Sequence, residues 1–311
     1  FTTGFWSRYS AKRVKAPTAK DDPDAFGNRL FNYLCNRAHG SKPILFAMED
    51  DTLNWVSSNR EIVAQYADFL LPPEESLAVA QSKAATCKHA AELGLPVPQT
   101  IHEPSLYGFL GVFRKLSESG GLEQYLVKPV QGSGSAGIVY LDGRDMPDWT
   151  ENWRQYGPLI IQKRISSAGQ GLGVSLLFDK GGRCIASFAH ARLQEYPNTG
   201  GPSTSRVSIY DDSLISDSIK LLSSLNWRGI GMVEWKVDLA DGKPKILEIN
   251  PRFWGSLELA VRSGIDFPVL YAQAATDLLP ADISQKYTTD VICRWMLPGE
   301  ILRYLTQAAE K

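Results

Sequence analysis

Apolar residues in the first third of the chain recur at helical spacing. Phe26, Leu30, Phe31 and Leu34 fall on one side of a helix between Asp24 and Ala38, and KPILFAMED after it reads as a short buried strand ending in acids. A second helix is expected over Asn59 to Tyr66, then ADFLLPP as a strand stopped by its prolines, then one helix from Glu74 to Gly94. Helix alternating with strand is the rhythm of a parallel α/β layer. LPVPQT follows, held extended by two prolines, and marks a boundary between domains.

From Tyr125 the period shortens to that of strands. YLVKPV, IVYL, GPLIIQKRI, GVSLLFD and RCIASFAHARL each read as a strand, with DKGG as a turn. A helix is expected from Ser213 to Leu225, followed by the hairpin GMVEWKVDLADGKPKILEIN and by helices starting near Ser256 and Phe267. No internal repeat or low-complexity segment interrupts this order. The expected class is α/β followed by α+β.

Composition narrows the function classes. With 33 basic and 34 acidic residues the formal net charge is −1, so no global field recruits nucleic acid or an anionic membrane, and neither is expected as a partner. The four cysteines, Cys35, Cys87, Cys184 and Cys293, are widely separated, which argues against a zinc site or a disulfide framework and fits a reducing cytoplasm. No uncharged apolar run approaches the roughly eighteen residues of a membrane span, and FTTGFWSRYSAKRVK lacks the apolar stretch of a signal peptide. A chain that opens on Phe is expected to begin inside a longer one.

Within KPVQGSGSAGIVYL, Gly132, Gly134 and Gly137 satisfy G-x-G-x-x-G, a spacing shared by unrelated phosphate-binding loops. A dinucleotide fold needs a helix after the glycines, and here the β-branched strand IVYL follows. A P-loop ends in Gly-Lys-Ser/Thr, yet no lysine follows Gly137 until Lys163. Val139 completes the kinase pattern G-x-G-x-x-G-x-V, but neither H-R-D nor D-F-G occurs downstream. A ligand-free hairpin is the alternative, although three glycines with Ser133 and Ser135 cost backbone entropy that a bare hairpin has no reason to lose. The other reading is a lid, Gln131 to Gly137, whose N–H groups close over phosphates while Lys128 enters from the preceding strand.

The hairpin carries a second signal. Alternation puts Glu234, Lys236 and Asp238 on one face and Val233, Trp235 and Val237 on the other; in KILEINPR, Glu248, Asn250 and, if the strand continues past Pro251, Arg252 share a face, opposite Leu247 and Ile249. With a loop of three or five residues Glu234 and Glu248 lie across from each other, where two carboxylates repel unless a cation or proton sits between them. With the Asn250 carbonyl they make a hard-oxygen set suited to Mg²⁺. The alternative is a solvated hairpin face, although Arg252, Phe253 and Trp254 follow at once.

Lys83, Lys128, the glycine lid and the Glu…Glu-x-Asn-x-Arg hairpin together resemble the ATP-grasp superfamily over most of Glu74 to Pro280. SKAATCKHAAELGLPVPQT is similar to that family's lysine, helix and G-[IL]-P-x-P segment. LIIQKRI resembles its hinge strand, with Gln162 and Lys163 where a glutamate is usual. EINPRFWGSLELAVRSGIDFP resembles the branch holding carbamoyl-phosphate-synthase-like proteins and D-aspartate ligases, and HARLQEYPNTGGPST its Arg plus Gly-Gly-x-Ser-Thr segment.

The resemblance implies an ATP-grasp fold with a partial Rossmann-like (pre-ATP-grasp) amino-terminal layer, a small lid subdomain and a larger antiparallel-sheet subdomain. The family's opening strand, glycine turn and helix have no counterpart before FTTGFWSRYS, so the layer at 1–75 is expected to be incomplete. The entry helix and lid would span 76–161, the metal-bearing subdomain 162–285 and an extension 286–311.

It also implies ATP and Mg²⁺ (or Mn²⁺) as cofactors. Lys83, Lys128, Gly132, Ser133, Gly134, Ser135, Gly137, Gln162, Lys163 and Ile165 would bind the nucleotide, and Glu234, Glu248 and Asn250 the metal. Arg252, Lys128 and Arg192 would act on the reacting groups, with Ser203 and Thr204 nearby and His190 and Ser256 available to a substrate carboxylate.

The activity implied is ATP-dependent carboxylate-amine ligation through an acyl phosphate, with small-molecule carboxylate and amine substrates in the cytoplasm and a homodimer left open. The alternatives are a non-catalytic ATP-binding regulatory protein and a bicarbonate-using enzyme of the carbamoyl-phosphate type.

Overall fold

The structure, a computed structural model, describes residues 6–36, 42–132, 136–141, 147–196, 201 and 203–309, the side chains at 297–298 and 307–309 excepted. Contacts divide the chain into two compact units, Phe1–Phe69 and Leu70–Lys311. In the first, α1 (Pro23–Cys35), α2 (Asp50–Ser58) and α3 (Arg60–Tyr66) enclose Leu34, Leu53, Val56 and Val63. Trp55 packs edge-on to Phe26 at 5.3 Å between ring centroids and also meets Phe31. The strands expected in KPILFAMED and ADFLLPP do not extend: what forms is a single parallel bridge, Ile44 to Asp68. Two adjacent extended segments without a third strand gain too few ladder bonds to grow.

The second unit opens with α4 (Glu74–Gln81) and α5 (Lys83–Glu92), where one helix was expected. Ser82 leaves helical geometry (φ −108°, ψ 109°) and its side chain accepts a hydrogen bond from the Ala85 N–H, capping α5. The break puts Lys83 in the first turn of α5, with its backbone N–H donating to the Val130 carbonyl at 3.0 Å.

A four-stranded antiparallel sheet follows in the order β1-β4-β2-β3, built from β1 (Thr100–His102), β2 (Tyr125–Pro129), β3 (Val139–Tyr140) and β4 (Leu159–Lys163). Between these strands lie α6 (Leu106–Ser119) and α7 (Trp149–Tyr156), which the sequence pattern does not announce because Gly108 and Gly111 dilute α6 and α7 is short and polar. Their N-caps, Ser105 and Asp148, each accept backbone N–H groups. Phe109, Val127, Leu141, Trp149, Leu159 and Ile161 form the core beneath this sheet.

The larger sheet is also antiparallel, in the order β10-β7-β6-β5-β8-β9. Its strands are β5 (Gly171–Phe178), β6 (Cys184–Glu195), β7 (Ser203–Ile209), β8 (Gly229–Asp238), β9 (Lys243–Asn250) and β10 (Ile292–Arg294). On one face, α8 (Asp212–Ser224) buries Leu214, Ile215, Leu221 and Leu222 with Leu172, Val174, Leu176, Val233 and Trp235. Each such side chain contributes about 1.5–3 kcal/mol through burial. Two helices, α9 (Leu257–Ser263) and α10 (Phe267–Ala275), follow β9, and α11 (Ile301–Ala309) follows β10.

The sheet's other face is polar. Pairing aligns Ser208, His190, Gly173, Glu234 and Glu248 in one row, and Cys293, Arg206, Arg192, Gly171 and Lys236 in the next. One departure from strict alternation occurs in β9. The register shifts between Trp235↔Ile246 and Glu234↔Glu248, so Ile246 joins the core while Leu247, expected on that side, faces the polar cavity.

Glycines in β5 make this face passable. A Cβ on Gly173 would stand 2.4 Å from His190 Cε1, so the imidazole lies over a position only glycine leaves open. Gly173→Ala is expected to destabilise the protein by about 1–3 kcal/mol through overpacking, measurable as a lower urea midpoint with an unchanged slope.

Candidate active site

The two sheets enclose a cavity of about 540 Å³, within the usual range for small-molecule sites. Across it, Glu234 and Glu248 are direct partners in the β8–β9 ladder; the loop between Asp238 and Lys243 has four residues rather than the three or five expected, and the bulge after Ile246 restores the pairing. Half-buried carboxylates at that spacing require positive charge nearby. Arg192 extends from β6 over Gly171, where a Cβ would stand 2.9 Å from Arg192 Cδ, and donates to Glu234 Oε2 at 2.5 Å and to Glu195 Oε1 at 3.2 Å. Lys83 approaches from α5, with Nζ 3.4 Å from Glu248 Oε2 and donating to the Gly132 carbonyl at 2.5 Å. Asn250 Nδ2 donates to Glu234 Oε1 at 3.1 Å.

Lys128 on β2 is buried and faces the same carboxylates from the smaller sheet. Burial lowers its ammonium below the ordinary lysine value, with Glu248 the main opposing influence. Glu234 is pushed up by burial, which Arg192 opposes and Glu248 reinforces. Arg192 is raised chiefly by Glu234. His190, buried beside Arg192 and Arg206, is pushed down to about 3, first by burial and then by those two charges, and is neutral at physiological pH.

Among the described residues no three His, Cys, Asp or Glu side chains group as a metal cluster. The donor set present is two carboxylates plus the Asn250 amide oxygen, which its Nδ2 bond to Glu234 leaves unengaged by that contact. Hard oxygens few in number suit Mg²⁺ or Mn²⁺, ions that keep the rest of their shell for water and phosphate. Lys83 and Arg192 carry the charge that such an ion would bring.

Most of the expected residues converge here. Lys83, Lys128, Gly132, Gln162, Lys163, Ile165, Arg192, Glu234, Glu248, Asn250 and Arg252 all line the cavity, as do His190, Ser203 and Ser256. Gly137 and Thr204 do not line it, and Ser133, Gly134 and Ser135 lie outside the described residues. Gly137 has φ +73°, and a Cβ there would stand 2.8 Å from Pro129; its glycine serves the turn. Gln162 Nε2 is held by Thr100 Oγ1 at 2.7 Å.

Sequence reasoning missed Arg206 and the β10 residues Cys293 and Arg294 with the adjacent Trp295, which also line the cavity. The alternation of STSRVSI was the available signal for β7, because it puts Thr204, Arg206 and Ser208 on one face.

A family model described as an ATP-grasp domain matches residues 80–256. No curated protein matches the chain in sequence. Among solved structures, the chain is similar to the biotin carboxylase domain of Hydrogenobacter thermophilus 2-oxoglutarate carboxylase, in complex with MgADP, ADP and bicarbonate. Identity is 15% and TM-score 0.66, over 85% of this chain and 60% of that one. It is also similar to an L-amino acid ligase from Bacillus licheniformis (16%, TM-score 0.61, 88% and 66%). A third similarity is to N5-carboxyaminoimidazole synthetase from Staphylococcus aureus complexed with ADP (14%, TM-score 0.59, 82% and 66%). At these identities the likeness is one of fold, and the chain spans 60–66% of the length of these three proteins.

His190 gives the site a pH signature. The unfolded chain takes up its proton near pH 6.5 and the folded chain only near 3, so stability is present above 6.5 and falls as pH drops through that window. The loss attributable to this group approaches about 1.4 kcal/mol per pH unit. Urea midpoints between pH 7.5 and 5.5 are expected to fall less steeply in His190→Asn than in the unsubstituted protein.

Proposed function

The chain belongs to the ATP-grasp family, whose model matches more than half of its 311 residues, and from that premise we propose that it is an ATP-dependent, ADP-forming carboxylate-amine ligase. The observation that carries this reading is the convergence of Lys83, Lys128, Arg192 and Arg252 with the facing Glu234–Glu248 pair in one cavity. The complexes with ADP, MgADP and bicarbonate among the similar structures, and the L-amino acid ligase beside them, support it.

ATP would occupy the cavity between the sheets, its base toward Gln162, Lys163 and Ile165 and its phosphates between Lys83, Lys128 and the lid around Gly132. Phosphoryl transfer asks mainly for positioning and charge neutralisation. Lys128, already desolvated, offers a charge that water screens little. Mg²⁺ held by Glu234, Glu248 and Asn250 would supply Lewis-acid neutralisation of the phosphate oxygens.

Arg252 and Arg192 stabilise negative charge developing on the acceptor carboxylate and on the acyl phosphate. Gln131 and Gly132, which line the cavity, belong to the expected lid, whose role would be to exclude water that hydrolyses that acyl phosphate. An amine then attacks the acyl carbon, phosphate leaves, and an amide or peptide bond results.

ADP release measured against a panel of amino acids, with hydroxylamine to trap the activated carboxylate, tests the reading. ADP formation that needs both a carboxylate and an amine is expected, and Glu248→Gln is expected to lower it about 100-fold or more. Unchanged ADP formation in Glu248→Gln would remove the metal assignment. Dependence on bicarbonate alone would assign the chain to bicarbonate-using chemistry instead.

A further inference from the structure

Arg206 is a buried guanidinium that pairs with no carboxylate among the described residues. It sits on β7, directly opposite Arg192 on one side and Cys293 on the other, and it lines the cavity. One terminal nitrogen donates to the Ser203 carbonyl, while Nε has no partner and is inaccessible to solvent. The remaining acids of the cavity are engaged elsewhere: Glu195 with Arg192 at 3.2 Å and Glu258 with Arg262 at 2.8 Å. A buried, incompletely bonded cation is costly, and structures retain one where an anion is to be bound.

Two further buried polar atoms without partners belong to the same cavity wall, His190 Nδ1 and Trp254 Nε1. The indole can only donate. His190 Nε2 lies 3.5 Å from Ser256 Oγ, and when that nitrogen accepts from the hydroxyl the ring proton resides on Nδ1, making it a donor as well. Every unmet group on this wall is then a donor, and together they call for an acceptor-only, negatively charged ligand.

Position separates this demand from the phosphate site. Arg192 reaches Glu234 from β6, whereas Arg206 stands one strand farther away, roughly 5 Å more across the sheet. An anion held there is not the group that reacts beside Glu234 and Glu248. β10, which supplies Cys293 next to Arg206, lies outside the residues matched by the family model, whereas Arg206, His190 and Trp254 lie within them.

We propose that Arg206, with His190 and Trp254, anchors a carboxylate of the substrate that is not consumed in the reaction, so that the enzyme selects substrates bearing a second, spectator carboxylate. This deepens the ligase reading and rests on it for the word substrate. Free amino acids and dicarboxylates share the required chemistry. A planar guanidinium recognises a carboxylate through paired N–H donors, which an amide cannot fully satisfy.

The test pairs turnover with direct binding on the full chain. L-Alanine, L-aspartate and succinate are compared with L-alaninamide and succinamate, the mono-amide that keeps one carboxylate, in the unsubstituted protein, Arg206→Gln and Arg206→Lys. Loss of the spectator carboxylate, in the probe or through Arg206→Gln, is expected to raise KM and the calorimetric Kd at least about tenfold, with kcat changed far less and KM for ATP unchanged. Arg206→Lys is expected to recover part of the discrimination.

Succinate alone or amino acids alone showing the effect would each support the subsite and identify its source. Equal binding of acids and amides, or an Arg206→Gln variant that discriminates normally, overturns it. So does a rise in KM for ATP matching that for the probe, because it would make Arg206 a structural residue. Carboxylate-selective binding without any turnover would sustain the subsite and sink the ligase; turnover without selectivity would do the reverse.

Discussion

Two carboxylates held face to face in a half-buried ladder cannot stand alone, and much of the larger unit answers that constraint. Glu234 and Glu248 are fixed opposite each other by the β8–β9 register. Arg192 reaches them because β5 carries glycine at 171 and 173, leaving the guanidinium and the imidazole of His190 room to lie across the strand. Lys83 reaches them because the helix expected from Glu74 to Gly94 breaks at Ser82 and restarts with the lysine in its first turn. Lys128 completes the set from the other sheet. Each element is locally unfavourable or irregular, and each is explained by the charge it delivers.

This arrangement also describes a site ready for exchange. The ion pairs inside the cavity, Arg192 to Glu234 and Lys83 to Glu248, use the carboxylates a divalent cation would take and the cations a triphosphate would attract. Bringing both ligands replaces one balanced set of charges with another, so neither state leaves a buried carboxylate pair uncompensated. Arg206 is the exception, because no carboxylate among the described residues balances it.

How far the sequence reaches follows from range. The hairpin was legible in part: alternation and an Asp-Gly turn are local and put both carboxylates on adjacent strands, but four residues separate Asp238 from Lys243, so unbroken alternation would set Glu234 opposite Leu247, and the bulge in β9 brings Glu248 there instead. The lysines and glycines were legible through their order, which is a family pattern rather than a physical one. Leu247 was misplaced because a bulge shifts the β9 side chains, and no residue type at 246–248 signals it. The amino-terminal strands shrank to one bridge because a strand depends on neighbours that local sequence does not specify. Arg206 was invisible as a site residue, since its significance lies in lacking an acidic partner, a property only packing reveals.

The central claim is that the facing carboxylates are a divalent-cation site for nucleotide phosphates. It is tested most directly by calorimetric titration of ATP into the full chain with Mg²⁺ and with a chelator, in the unsubstituted protein and in the Glu234→Gln/Glu248→Gln double variant. The account predicts that Mg²⁺ tightens ATP binding in the unsubstituted protein and has little effect in the double variant. Equal tightening by Mg²⁺ in both proteins would contradict it.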